Sequence, residues 1–265
     1  MILTPSPASG FGLAVAKRLV AKGWKISIAE MNASTGRAAA VSIPATFHQT
    51  NVANYESLSK AFHQTFKEHG RIDFVFANAG IVERDNFYAE LDGEGPPPEF
   101  DQSVVDIDLN AVISTTWLAR FYMRKNPDKT GGCIVPTSSV GGIYATPFCP
   151  LYTAAKHGVV GLNRSIAGQF WKNDKIRVNT LMPAVSKTSL MSEKEWSTFE
   201  GQTWTPIEKV VDVVDMLVNE NADNGEAHWG KSVEVVGPNH YFRDQVEFSC
   251  EAMRKIIVQT EKETV

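Results

Sequence analysis

Residues 2–30 read ILTPSPASGFGLAVAKRLVAKGWKISIAE. A short apolar run at Ile2-Thr4, a helix-length amphipathic stretch at Phe11-Lys22 and a second β-rich run at Lys25-Glu30 predict a strand, helix and strand in immediate succession. Gly10-Phe11-Gly12 falls between the first strand and the helix, where glycines let backbone approach a pyrophosphate and the helix N-terminus attracts its charge. Eighteen residues beyond Gly12, Glu30 ends the second strand. An acid there accepts hydrogen bonds from ribose hydroxyls and repels a 2′-phosphate, which favours NAD(H) and leaves NADP(H) as the second choice. A tight turn and a solvated strand end explain the same residues one at a time. Their order within one βαβ unit is what points to a dinucleotide.

Outward from this unit the alternation continues. Helix patterns at Asn54-Glu68, Asp101-Arg124, Leu151-Trp171 and Pro206-Val218 alternate with strand-like runs at Ile72-Ala77, Gly132-Thr137, Arg177-Met182 and Ser232-Val236. The expected fold class is α/β, a Rossmann-type doubly wound parallel sheet of seven strands with helices on both faces, forming one domain over residues 1–265. Glu90-Phe100, with Gly93, Gly95 and three prolines, reads as a loop too short to link domains. Lys187-Thr205 carries Met191, Trp196, Phe199 and Trp204 without clean periodicity. This stretch is either a lid over a substrate or a loop packed on the body.

Composition narrows the function. A net charge of −4 with scattered Lys and Arg argues against nucleic acid and anionic membrane as partners and toward small-molecule chemistry. Three widely spaced cysteines, with no Cys/His pair at ligand spacing, argue against a structural metal and for a reducing compartment. The absence of a membrane-length apolar run or a basic leader gives the expectation of a cytoplasmic protein.

The candidate chemistry lies at Tyr152 and Lys156, four residues apart on a helix and hence on one face. A cation beside a phenol favours the phenolate, so Lys156 is expected to lower the Tyr152 pKa and fit it for proton exchange with an alcohol or carbonyl. Ser139, thirteen residues upstream at a strand end, is placed to orient the same oxygen. Chance alone also produces this spacing on solvated helices. His157, about 100° round the helix, is expected to be structural.

Taken together, Ala-Ser-Gly-Phe-Gly (8–12), Asn-Ala-Gly-Ile-Val (78–82), Thr-Ser-Ser-Val-Gly-Gly (137–142), Tyr-Thr-Ala-Ala-Lys-His-Gly (152–158) and Ile-Arg-Val-Asn-Thr-Leu-Met-Pro (176–183) resemble the short-chain dehydrogenase/reductase family from Thr4 to about Asp244. The stretch 152–164 and the tail 235–244 are similar to a fungal branch near 15-hydroxyprostaglandin dehydrogenase. The resemblance implies a strand order 3-2-1-4-5-6-7 and hydride transfer between a nicotinamide and a carbonyl/alcohol pair. Tyr152 would be the general acid/base, Ser139 the oxygen ligand, and Lys156 a ribose ligand and electrostatic partner. Cofactor contacts would come from Ser6, Ser9, Gly10, Phe11, Gly12, Glu30, Asn51, Val52, Asn78, Ala79, Gly80, Tyr152, Lys156, Pro183 and Thr188. Tyr144, Phe148, Met191 and Trp196 would line the substrate pocket, and the helices at 101–124 and 151–171 would build a homodimer or homotetramer.

Four departures stand out. Pro5 and Ser6 replace the leading Thr-Gly of the family's glycine loop, with Pro7 next, and the two prolines remove two backbone donors. Asp108 stands where the family has the asparagine of its proton relay, and Asn110, two residues late on the helix, would point elsewhere. Pro136 lies inside an expected central strand, a place proline rarely occupies. Asn51 replaces an aspartate that many relatives place near the adenine. These residues leave two readings: an oxidoreductase acting on a secondary alcohol, ketone or imine of a bulky lipophilic metabolite, or a repurposed relative steering a cyclisation in fungal secondary metabolism. In the second reading cofactor binding is weakened, auxiliary or lost.

Overall fold

The computed structural model describes residues 3–5, 10–129, 131–219 and 227–262. In chain order they form β1 (Leu3–Pro5), α1 (Phe11–Ala21), β2 (Ile26–Glu30), α2 (Ala33–Ser42), β3 (Ala45–Gln49), α3 (Tyr55–His69) and β4 (Phe74–Ala77). Then come α4 (Ser103–Val105), a π-helical turn (Asp106–Asn110), α5 (Ala111–Met123), β5 (Gly132–Pro136), α6 (Pro150–Asp174), β6 (Ile176–Val178) and β7 (Thr180–Pro183). The chain ends with α7 (Glu193–Trp196), α8 (Ile207–Val218), β8 (Ser232–Val236), β9 (Asn239–Phe242) and α9 (Glu251–Lys262).

β1-β2-β3 and β4-β5-β6 are parallel ladders; β7 pairs parallel with β8, and β9 adds antiparallel to β8. β1 lies against β4, and a bridge between Thr137 and Leu181 joins β5 to β7. Side chains alternate across this surface with the period of two that strands impose. Ile28, Phe74, Phe76, Cys133 and Val135 pack toward α1 and α8 on one face. Ala29, Val75 and Ile134 pack toward α3, α5 and α6 on the other. The expectation of helices on both faces of a parallel sheet therefore holds.

The expected count of seven strands does not, because nine strand segments are present among the described residues. One cause is a break at Asn179, which splits a single run into β6 and β7. There the Asn179 side chain accepts from the Lys231 amide at 2.9 Å and donates to the His228 carbonyl at 2.8 Å. The other is β9, which folds back along β8.

The same break accommodates Pro136. The Thr137 amide donates to Ala77 of β4, whereas the Ser138 amide donates to Leu181. Alternate residues face opposite neighbours, so the missing N–H of Pro136 faces the β6–β7 side, where the ladder is interrupted.

Candidate active site

The C-terminal ends of β4, β5 and β7 and the first turn of α6 enclose a cavity of 550 Å³. Its wall includes Gly10, Phe11, Asn78, Gly80, Asp108, Ser139, Tyr152, Lys156, Pro183 and Thr188. Apolar side chains from Ile81, Val82, Val140, Phe148, Val185, Leu190, Met191, Trp196 and Phe199 complete it. A more open groove of 940 Å³ between β3 and α3 contains none of these residues.

α6 carries Tyr152 and Lys156 on one face, with the ammonium 5.3 Å from the centre of the phenol ring. Ser139 follows β5, where its Oγ accepts from the Gly141 amide at 3.2 Å and faces the Pro183 carbonyl at 3.5 Å. Lys156 is buried, with Nζ 3.0 Å from Asp108 Oδ2 and donating to the Thr137 carbonyl at 3.0 Å. Two of its three donors are thus directed into the protein. Asp108 is fully buried and accepts from the Ile81 amide through Oδ1 at 2.9 Å. The π turn brings it there. The extra residue in that turn sends Asp108 inward while Asn110 stays exposed, donating to Asp106 at 3.0 Å.

Burial reverses one expectation. It pushes the Tyr152 phenol above its ordinary 10.0, and the opposing pulls of Lys156 and the Ser139 hydroxyl do not offset it. Asp108 and Cys149 push in the same direction as burial. Burial likewise raises the Asp108 carboxyl against the pull of Lys156. For Lys156, burial favours the neutral amine, but Asp108 and Tyr152 outweigh it and hold the ammonium above the ordinary lysine range.

The glycine turn fits a close-approaching ligand. Gly10 has φ of +81°, and a Cβ there would meet Thr188 at 3.2 Å. Phe11 and Thr188 line the cavity beside it, and Gly12 is buried in the first turn of α1. Ser6 and Ser9 lie outside the described residues. Asn78 accepts from the Thr137 hydroxyl at 3.1 Å on the cavity wall, with Ala79 and Gly80 next to it in the chain.

Other expected residues are not brought to the cavity. Glu30 accepts from the Asn32 amide at 2.8 Å at the end of β2, and exposed Asn51 accepts from Ala53 at 3.1 Å. Val52 packs beside the α3 and α5 core. Tyr144 does not line the cavity either: its hydroxyl reaches Glu234 at 3.4 Å, and Arg243 sits over its ring, so the β8–β9 hairpin draws it outward. His157 is exposed and turns its Nδ1 to the Thr153 carbonyl at 2.9 Å.

Residues 187–205 close one side of the cavity. Trp196 is buried, donates to the Thr188 carbonyl at 2.9 Å and meets the rings of Phe199 and Trp204. Ser192 and Glu195 cap α7 reciprocally, and Glu195 pairs with Arg84 across the opening. Trp196→Ala is expected to loosen this segment, raising tryptic cleavage at Lys187 and Lys194 about tenfold or more, equivalent to about 1.4 kcal/mol of local opening. Unchanged cleavage would show that Trp196 does not hold the segment down.

Known proteins resemble this chain in sequence and fold. The short chain dehydrogenase family model matches residues 2–198. Short-chain dehydrogenase/reductase prx7 of Penicillium rubens is 40% identical over 270 aligned positions, covering 94% of this chain and 95% of that protein. Human 15-hydroxyprostaglandin dehydrogenase [NAD(+)] is 29% identical, covering 76% of this chain and 73% of its own length. Among solved structures, 3-ketoacyl-(acyl-carrier-protein) reductase from Brucella melitensis, complexed with NADH, superposes with a TM-score of 0.76 at 22% identity. That likeness covers 89% of this chain and 96% of the other. The fold is of the Rossmann type, and the chain belongs to the short-chain dehydrogenase family. No helix among the described residues is long and apolar enough to cross a membrane. Nor do the described residues contain a group of three or more His, Cys, Asp or Glu able to hold a metal ion.

Proposed function

We propose that this chain acts as a single-domain oxidoreductase that interconverts a secondary alcohol with a ketone, or an amine with an imine, on a bulky lipophilic metabolite. The observation that carries this reading is the convergence of Ser139, Tyr152 and Lys156 in the same cavity as Gly10 and Thr188. Gly10, Phe11, Asn78, Lys156, Pro183 and Thr188 would hold the nicotinamide end of a dinucleotide. When bound, that cofactor supplies or accepts the hydride. Ser139 donates to the substrate oxygen and fixes its direction, and Tyr152 gives that oxygen its proton in reduction or recovers it in oxidation. The high phenol pKa suits Tyr152 to the donor role. The apolar wall from Val82, Phe148, Leu190, Met191, Trp196 and Phe199 favours a substrate that is mostly hydrocarbon and excludes water from the reacting atoms.

NAD(H) is the proposed cofactor, supported by Glu30 at the end of β2. Fluorescence titration is expected to give tighter binding of NADH than of NADPH, by about tenfold or more, because an acid repels the 2′-phosphate. A preference for NADPH would remove Glu30 from this role. A homodimer or homotetramer is supported by Ile113, Trp117 and Phe121, four residues apart and exposed along α5.

A second reading, a cyclisation steered by the same cavity, is favoured by Pro5 in the first strand and by the commitment of Lys156 to Asp108 and Thr137. Absence of any NADH or NADPH binding at millimolar concentration would select it over the redox reading.

A further inference from the structure

The N-terminus of α6 lacks a side-chain cap of its own. Cys149 stands at the N-cap and makes no side-chain capping bond; Pro150 at the first position has no N–H to satisfy, so the need for an acceptor falls on the amides that follow it. The first backbone bond into the helix is from the Thr153 amide to the Cys149 carbonyl at 3.0 Å. Tyr152 precedes that bond, in the part of a helix where amides have no intrahelical partner. Its amide instead donates to Glu83 Oε2 at 2.7 Å. Glu83 is half-buried, 69 residues away in sequence, on the segment that leaves β4.

That segment is itself held at several points. The Asn78 side chain receives the Thr137 hydroxyl, the Ile81 amide is bound by Asp108, and Arg84 pairs with Glu195. Glu83 thus projects from backbone fixed on both sides. Its other oxygen, Oε1, is buried and has no hydrogen-bond partner among the described residues. A carboxylate kept in such surroundings, beside the positive end of a helix, needs a compensating role; the Tyr152 amide and the helix dipole provide one. Its charge is also felt at the neighbouring Cys149 thiol, which burial raises first and Glu83 raises further.

We propose that Glu83 is a positioning residue for Tyr152, supplying from a distant segment of the same chain the cap that α6 lacks and thereby fixing the first helical turn that carries the phenol. The proposal rests on the reading of Tyr152 as proton donor, but part of its test does not. Glu83→Ala removes the acceptor, whereas Glu83→Gln keeps an oxygen able to accept the same N–H. Glu83→Ala is expected to lower kcat about 10²-fold while KM and the NADH dissociation constant stay within about threefold, since a small displacement of a reacting group has effects of that size. Glu83→Gln is expected to return kcat to within about threefold of the unmodified enzyme. Unchanged kcat in Glu83→Ala, or a glutamine variant as impaired as the alanine, overturns the proposal.

Hydrogen exchange at the Tyr152 amide gives an answer independent of turnover. It is expected to quicken about tenfold or more in Glu83→Ala and to stay near the unmodified rate in Glu83→Gln. Equal exchange in all three proteins overturns the proposal even if the enzyme is redox-active. Conversely, loss of protection in Glu83→Ala, in a protein that never turns over a nicotinamide, retains the cap while rejecting the redox reading. Should Glu83→Ala fail to fold, comparing Glu83→Gln with Glu83→Leu by the same exchange measurement decides the matter.

Discussion

Tyr152→Phe is expected to lower carbonyl reduction by about 10²–10⁴-fold, with NADH affinity unchanged to within about twofold, because the ring remains and only the exchangeable proton is lost. Stopped-flow oxidation of NADH with a panel of apolar ketones measures the first quantity, and fluorescence titration the second. Turnover that survives the substitution would exclude Tyr152 as the acid. The pH profile carries a further sign. Burial holds the phenol above 10.0, so the protonated form persists through neutrality. The reduction rate is therefore expected to be flat from the neutral range upward and to fall only above about pH 10, while alcohol oxidation, which needs the phenolate, rises over the same interval. A reduction limb that falls near neutrality would contradict the role assigned to burial.

The second large effect falls on stability. Asp108→Ala leaves a buried ammonium beside the phenol with no counter-ion, at a cost of about 3–5 kcal/mol measured by chemical denaturation. Asp108→Asn, which retains an oxygen for the Ile81 amide, is expected to cost less. The alkaline limb separates the ion pair from simple packing. Lys156 is held above its ordinary 10.5, so its contribution is complete below that value and is lost as pH rises through the higher value of the folded protein. The unmodified protein should consequently lose stability faster than Asp108→Ala above about pH 10.5, and parallel curves would deny the pair any role.

What the sequence makes legible depends on where its signals are local. Residues 2–30 disclose the opening βαβ unit because strand, glycine turn and helix come in order, and the four-residue spacing of Tyr152 and Lys156 needs only a helix to become a contact. By contrast, α2 escapes a reading by pattern: of Ala33–Ser42 only Gly36 and Ala39 are buried, so there is no apolar stripe to see. β3 is a half-exposed strand at the edge of its ladder and lacks a continuous apolar run. Proximity in the chain assigns Tyr144 to the pocket, and the pull of Glu234, ninety residues away, has no trace there. Charge alone predicts that Lys156 lowers the phenol, whereas the outcome depends on burial. Glu83 escapes for the same reason as the Tyr144 partner, although Cys149, in place of a Ser, Thr, Asp or Asn before Pro150, is a visible sign that α6 has no side-chain cap of its own.

The π turn at Asp106–Asn110 has a consequence beyond the cavity. One additional residue in a helical turn rotates everything downstream by about 100° relative to an uninterrupted helix. The turn that brings Asp108 under Lys156 therefore also determines that Ile113, Trp117 and Phe121 point away from the sheet. Losing a single residue there would shift both phases at once, so the buried Asp108–Lys156 pair and the apolar outer stripe are bound to one register and must be inherited together.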